Sequence, residues 1–189
     1  TSSHITHTQS ISASTAERLS LVTSEFYAQQ AQSFSATRQT PWQGWQRCLD
    51  AMPQLSAGEK PSVLDIGCGN LRFARFLCDE AGIVLAKYFA VDNCRPLVES
   101  GDAGTHVSEL EFIELDVIKS LLDNTLSSEL TVSACNLVVA FGFLHHVPGT
   151  EKRLQLLRTL LEKTKPGGYV CVSFWQFMNS QKLAAKAQE

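Results

Sequence analysis

Three carboxylates and a pair of glycines are spaced for holding a nucleoside-like ligand. The run Val63-Leu64-Asp65-Ile66-Gly67-Cys68-Gly69-Asn70 passes from apolar, strand-like residues through two glycines into a helical stretch. Glycines at such a junction let a ligand approach the backbone, and the N-terminus of the following helix faces it. Asp92 closes the next apolar run, with Asn93 behind it, where a carboxylate accepts hydrogen bonds from ribose hydroxyls. Leu115-Asp116-Val117 closes the third run and offers a carboxylate for an adenine amino group beside apolar side chains for its ring. A lone aspartate at a strand end is ordinarily a cap or turn residue, but three in order around a glycine loop point to one site.

The sign of the local charge narrows the ligand. A dinucleotide loop uses Gly-x-Gly-x-x-Gly, and here the third glycine position is Arg72. Asp65 at the mouth of the loop repels a pyrophosphate and suits a cofactor that carries an ammonium and a sulfonium and no phosphate. S-adenosylmethionine has that chemistry, and a nicotinamide oxidoreductase is the weaker alternative.

A second group follows the fourth apolar run: Phe141-Gly142-Phe143-Leu144-His145-His146-Val147-Pro148. Neighbouring residues on a helical turn do not share a face, so His145 and His146 make a poor chelate and at most one ring faces the ligand. No metal is expected. Either histidine can act as general base if the methyl acceptor must lose a proton, since its ordinary pKa is near neutrality. A purely local role at a helix start is the competing reading.

These residues need a scaffold, and the sequence supplies a regular one. Residues 62–66, 87–92, 111–115, 136–141 and 169–174 read as strands, and 71–81, 96–100, 117–126 and 150–163 as the helices around them. In the last helix Thr150 is the expected N-cap and Leu154, Leu157, Leu160 and Leu161 the inward stripe. Pro166-Gly167-Gly168 reads as the turn into the fifth strand. Two helices precede the first strand, one with Leu19, Val22, Phe26 and Tyr27 as its apolar face, the other with Trp42, Trp45, Cys48, Leu49 and Met52. Strands joined by helical crossovers imply an α/β fold, a Rossmann-like, doubly wound and mostly parallel sheet. Residues 1–14 are polar and aperiodic and are expected to be a disordered leader; residues 15–189 form a single domain, with a helical cap over 15–54, a core over 55–177 and a tail over 178–189.

Composition sets the outer limits. With 189 residues and 44% hydrophobic side chains, one well-buried domain is expected. Sixteen basic residues against 19 acidic give a net charge of −3, so no global field draws the chain onto nucleic acid or an anionic membrane. No apolar run approaches the roughly 18 residues of a membrane span, and no secretory signal opens the sequence, so a cytoplasmic protein is expected. The cysteines at 48, 68, 78, 94, 135 and 171 stand singly, without Cys-x-x-Cys, and read as free thiols.

Taken together, Val63-Leu64-Asp65-Ile66-Gly67-Cys68-Gly69, Asp92, Leu115-Asp116-Val117 and Pro166-Gly167-Gly168 resemble successive motifs of the class I S-adenosylmethionine-dependent methyltransferase superfamily. The resemblance implies that Asp65, Gly67 and Gly69, with Cys68 and Asn70 between and behind them, cradle the methionine part of S-adenosylmethionine. It places the ribose on Asp92 and Asn93, the adenine on Asp116 and Val117, and Phe141 near the transferable methyl, with S-adenosylhomocysteine as product. Members usually carry two further strands, so the last strands read as missing from this chain.

The stretch from Phe26 to Arg38, followed by Pro41-Trp42, together with His145-His146 and Ser173-Phe174-Trp175, is similar to the tRNA wobble-uridine carboxymethyl methyltransferases and their bacterial relatives. That similarity implies that Tyr27 and Arg38 fold over the carboxylate end of the cofactor with Trp42 as an apolar lid, and that the acceptor is a modified tRNA wobble uridine. Arg38, Arg47, Lys60, Arg72, Arg95, Lys152 and Arg153 are spread along the chain and not gathered for phosphates, so a small-molecule acceptor is the alternative. A non-catalytic partner protein that keeps the fold is a third reading, against which the intact acidic and glycine positions argue.

Overall fold

The computed structural model describes residues 11–55, 58–104, 107–176 and 179–186. Runs of Val, Ile, Phe and Tyr form the strands β1 (Ser62–Ile66), β2 (Lys87–Asp92), β3 (Leu110–Glu114), β4 (Cys135–Ala140) and β5 (Thr164–Val172). They lie in the order β3-β2-β1-β4-β5, and every pairing is parallel. The α/β, doubly wound architecture expected from the sequence is therefore present. The chain winds one way from β1 to β3 and the other way from β4 to β5, which opens a crevice at the carboxyl ends of β1 and β4.

The helices are α1 (Ala13–Ala36), α2 (Gln43–Asp50), α3 (Arg72–Arg75, continued by a π turn over Phe76–Glu80), α4 (Arg95–Glu99), α5 (Val117–Asp123), α6 (Leu126–Glu129), α7 (Thr150–Glu162) and α8 (Gln181–Lys186), with a 3-10 turn at Leu144–His146. One face of the sheet is covered by Trp45, Phe73, Phe76 and Leu77, the other by Leu121, Leu126, Leu156 and Leu160. Burying each such side chain stabilises the fold by about 1.5–3 kcal/mol. None of the six cysteines is joined in a disulfide, and among the described residues no helix is long and apolar enough to cross a membrane.

Several expectations are corrected. Helix α1 begins at Ala13, capped by Ser12 accepting from Thr15 N, so part of the stretch expected to be disordered is helical; residues 1–10 lie outside the described residues. Of its expected apolar stripe only Tyr27 turns inward: Leu19, Val22 and Phe26 are about half exposed, while Ala16, Ser20, Ala31 and Ser35 are buried. Small side chains let α1 approach α4 closely, where Ala31 meets Cys94 and Leu97. In α7 the buried residues are Leu156, Thr159 and Leu160, Leu154 and Leu161 are exposed, and Gly149, not Thr150, holds the N-cap position. Pro166-Gly167-Gly168 is a bulge inside β5 and not a turn before it, since Cys135 pairs with Thr164 but Leu137 with Tyr169. The expected helix over 117–126 stops at Asp123, where Asn124 turns left-handed (φ 59°), and α6 follows. Residues 181–186 of the expected tail are helical; Met178 and residues 187–189 lie outside the described residues.

Candidate functional site

The glycine loop is tied down at the end of β1. Gly67 N and Cys68 N both donate to Val91 O, at 2.8 and 3.1 Å, which fixes the loop against β2. Gly67 has φ +74°, and a Cβ there would fall 2.5 Å from a ring carbon of Phe143, so only glycine suits the position. Asp92 knots the loop to the next turn: its Oδ2 accepts from Gly69 N and its Oδ1 from Cys94 N, each at 2.9 Å. Burial pushes the Asp92 carboxyl above its ordinary pKa, and the N–H donors of Gly69, Cys94 and Asn93 oppose that.

Asp65 and Asp116 complete the acidic wall. Asp65 is buried, and Tyr88 Oη donates to its Oδ2 at 2.5 Å. Burial pushes the Asp65 carboxyl up to about 7, Tyr88 opposing and the charge of Asp92 adding. Asp116 caps α5 by accepting from Lys119 N at 2.9 Å and also accepts from Asn93 Nδ2 at 3.2 Å. Asn93 Nδ2 in turn donates to Ser24 Oγ on α1 at 3.0 Å. The cap role and the site role of Asp116 therefore coexist.

The segment joining α1 to α2 is stitched over this wall. Asn70 Nδ2 donates to Ser35 Oγ and to Arg38 O, at 3.2 and 3.1 Å. Arg72 Nη1 donates to Thr40 O at 2.9 Å, and Arg75 Nη2 to Gln39 O at 2.5 Å. The Arg72 guanidinium lies over the rings of Trp42 and Trp45, at 5.4 and 5.2 Å, and its buried Nε has no hydrogen-bond partner. Burial and the neighbouring Arg38 and Arg75 lower its pKa. Arg38 rests 3.7 Å above the Phe34 ring. Among the described residues the salt bridges involve Lys87, Arg95 and Lys119, and neither Arg38 nor Arg72 is paired with a carboxylate.

The two histidine rings stay in contact, with centroids 3.9 Å apart, but they have different partners. His146 Nε2 is 3.2 Å from Tyr27 Oη, while the His145 ring stacks on Trp175 with centroids 4.6 Å apart. Burial, with His145 adding, pushes His146 down to about 4, and burial lowers His145 as well. Burial also raises the Tyr27 hydroxyl, so near neutral pH a protonated phenol meets a neutral imidazole, and the tautomer of His146 sets which of the two donates.

Tyr27, Arg38, Asp65, Gly67, Cys68, Gly69, Asn70, Asp92, Asn93, Asp116, Val117 and Phe141 all line one cleft at the carboxyl end of the sheet. His146 lines it too and also borders a second, more open groove; His145 lines only that groove, beside Phe26 and Trp175. The sequence reading missed Arg72, noticed only as an absent glycine, though a cation beside an acidic loop is a signal in itself. It also missed Ser24, which tertiary packing alone brings to the cleft, and gave no role to Phe143, though that residue stands in the run after the fourth strand. Among the described residues no cluster of His, Cys, Asp and Glu is arranged to hold a metal.

The cleft is lined by the carboxylates of Asp65, Asp92 and Asp116, the guanidiniums of Arg38 and Arg72, and the apolar Leu97, Val117 and Ile118. That donor set fits a zwitterionic ligand with a flat ring and no phosphate.

The family described as "Methyltransferase domain" matches residues 36–187. The chain is 26% identical over 159 residues to the tRNA (carboxymethyluridine(34)-5-O)-methyltransferase ALKBH8 of Mus musculus, covering 84% of this chain and 20% of that protein. It thus spans about a fifth of that relative's length. The plantazolicin methyltransferase BpumL, solved with a triazolic desmethylPZN analog and SAH, has a TM-score of 0.53 at 15% identity over 85% of this chain and 60% of that one. The N-methyltransferase NodS from Bradyrhizobium japonicum WM9, solved with S-adenosyl-l-homocysteine, has a TM-score of 0.52 at 15% identity over 77% of this chain and 71% of that one. At these identities the two solved structures share the fold.

Proposed function

The chain belongs to the methyltransferase domain family, and we propose from there that it is a class I S-adenosylmethionine-dependent enzyme whose cleft holds the cofactor and whose groove beside His146 takes an acceptor oxygen. The observation that carries this is the polarity of the cleft. Arg38 and Arg72, without acidic partners, suit the methionine carboxylate, Asp65 its ammonium, Asp92 and Asn93 the ribose hydroxyls, and Asp116 with Val117 the adenine. When bound, S-adenosylmethionine supplies an electrophilic methyl on a sulfonium. Phe141, packed 4.9 Å from Phe73 and 5.8 Å from Trp45, walls that end against water. The chain's remaining task is alignment of the acceptor.

Arg72 provides a direct check on the cofactor half. Arg72→Met is expected to weaken S-adenosylhomocysteine by about ten- to a hundredfold, the worth of a charge-assisted hydrogen bond. Binding of 5′-methylthioadenosine, which lacks the amino acid, should be unchanged in the same calorimetric titrations. Equal weakening of both ligands would mean that Arg72 serves only the packing of Trp42.

Among the described residues no Asp or Glu lines the groove, and Arg38 is the one charged side chain along it. A protonated amine would find no counter-charge there, which favours a carboxylate or hydroxyl acceptor. The likeness to a tRNA carboxymethyluridine methyltransferase supports a modified wobble uridine bearing a carboxylate. A small-molecule acid is the second reading, favoured by the net charge of −3.

A carboxylate is already ionised and needs no base, whereas a hydroxyl must lose a proton, and His146, neutral at pH 7 but a weak base with its pKa pushed down to about 4, is the group the groove offers to take it. A methylation screen of total tRNA against aromatic and aliphatic acids and phenols separates these readings. His146→Ala is expected to lower turnover by about 10²-fold or more on a hydroxyl acceptor and by less than about tenfold on a carboxylate. Unchanged turnover on the true acceptor would remove His146 from the chemistry.

A further inference from the structure

The partner of Asp65 on the core side is a tyrosine. Tyr88 is fully buried on β2, its register partner on β1 is Val63, and it sits in the apolar cluster with Leu77 and Leu137. Phenylalanine would satisfy that packing. A buried phenol is costly unless its O–H is spent, and this one donates to Asp65 Oδ2 at 2.5 Å. Asp65 also lines the cleft, so the phenol holds its carboxyl from the core side and leaves acceptor capacity for a ligand.

We propose that Tyr88 is a positioning residue that keeps Asp65 as a carboxylate aimed at the ammonium of the cofactor's amino-acid end. This rests on the reading of the cleft as the S-adenosylmethionine site. The groups around the pair give Asp65 little other help in staying charged. Asp92 from β2 and Cys68 from the loop face it, Cys78 from the π turn faces Tyr88, and β4 brings the apolar Val139 alongside. Against burial, Asp65 titrates at about 7, and the phenol is what opposes a further rise.

The sign of the expected pH effect follows. The ammonium pairs with the carboxylate form, so S-adenosylhomocysteine affinity should fall by about tenfold per pH unit below the pKa of Asp65. Removing a donor to the charged form raises that pKa. Tyr88→Phe is therefore expected to move the break in affinity toward alkaline pH by about one unit and to weaken S-adenosylhomocysteine at pH 7 by several-fold. Binding of 5′-methylthioadenosine should match the wild type throughout.

Calorimetry with both ligands from pH 5.5 to 9 tests this, beside a carboxyl 13C NMR titration of Asp65 in the ligand-free wild-type protein. An unshifted break, or equal weakening of both ligands at every pH, overturns the role of Tyr88. So does an Asp65 carboxyl that titrates in the ordinary carboxylate range, a result that does not depend on the variant folding. If Asp65→Asn leaves S-adenosylhomocysteine affinity intact, the ammonium contact and the role of Tyr88 fall together; if the wild-type protein binds no S-adenosylhomocysteine at any pH, it is the assignment of the cleft that fails.

Discussion

Replacing Asp92 by alanine is expected to reduce S-adenosylhomocysteine affinity by about a hundredfold or more, because one carboxylate serves both the ligand and the loop that cradles it. Its two oxygens accept from Gly69 N and Cys94 N, so truncation leaves two backbone donors unpaired beside the cleft. Each orphaned donor costs about 1–3 kcal/mol, and the glycine loop is then free to leave β2. Asp92→Asn separates the parts: its amide oxygen still accepts from one N–H while the amide nitrogen opposes the other, so an intermediate loss is expected. Calorimetry and the ligand-induced rise in melting temperature should agree, since stabilisation grows with the logarithm of ligand concentration over Kd. Affinity within threefold of wild type for Asp92→Ala would remove the ribose assignment altogether.

How much of this site could be read beforehand depended on what each residue does. Parallel strands buried on both faces are near-continuous apolar runs, so β1, β2 and β4 were legible almost to the residue. Asp65, Asp92 and Asp116 were legible because they stand where such runs stop. The inward face of α1 was not, since Ala16, Ser20, Ala31 and Ser35 bury by being small, while Leu19, Val22 and Phe26 remain outside. Helix α7 misled for the opposite reason: leucines at 154, 156, 157, 160 and 161 surround the helix, and only the packing against β4 and β5 selects a face. Arg72 and Tyr88 share a third difficulty. Their chemistry is carried by partners far off in sequence, Thr40 for one and Asp65 for the other.

Gly101 belongs to that last class and carries the largest expected effect on stability. It follows Ser100, the C-cap of α4, and looks like an ordinary helix-ending glycine. A Cβ there would lie 2.1 Å from the carbonyl oxygen of Asn70 and 2.4 Å from its carbonyl carbon. Those are backbone atoms, so no rotamer change relieves the contact. Asn70 cannot retreat freely, because its side chain holds Ser35 and Arg38 and the next residue, Leu71, is in the left-handed region at φ 59°. Gly101→Ala should therefore cost about 3 kcal/mol or more, at the upper end of overpacking effects, and lower the melting temperature by about 6–12 °C. Because the displaced segment is the glycine loop, S-adenosylhomocysteine and 5′-methylthioadenosine should both weaken, by about tenfold. Arg72→Met, by contrast, affects only the ligand that carries the amino acid. Gly44 is the control: it lies within α2 with nothing within 4 Å of an added Cβ, and Gly44→Ala should be neutral or slightly stabilising. A Gly101→Ala protein that melts and binds like the Gly44→Ala protein would show that α4 and the glycine loop are not packed backbone to backbone, and the coupling of fold to site argued from Asn70 would fall with it.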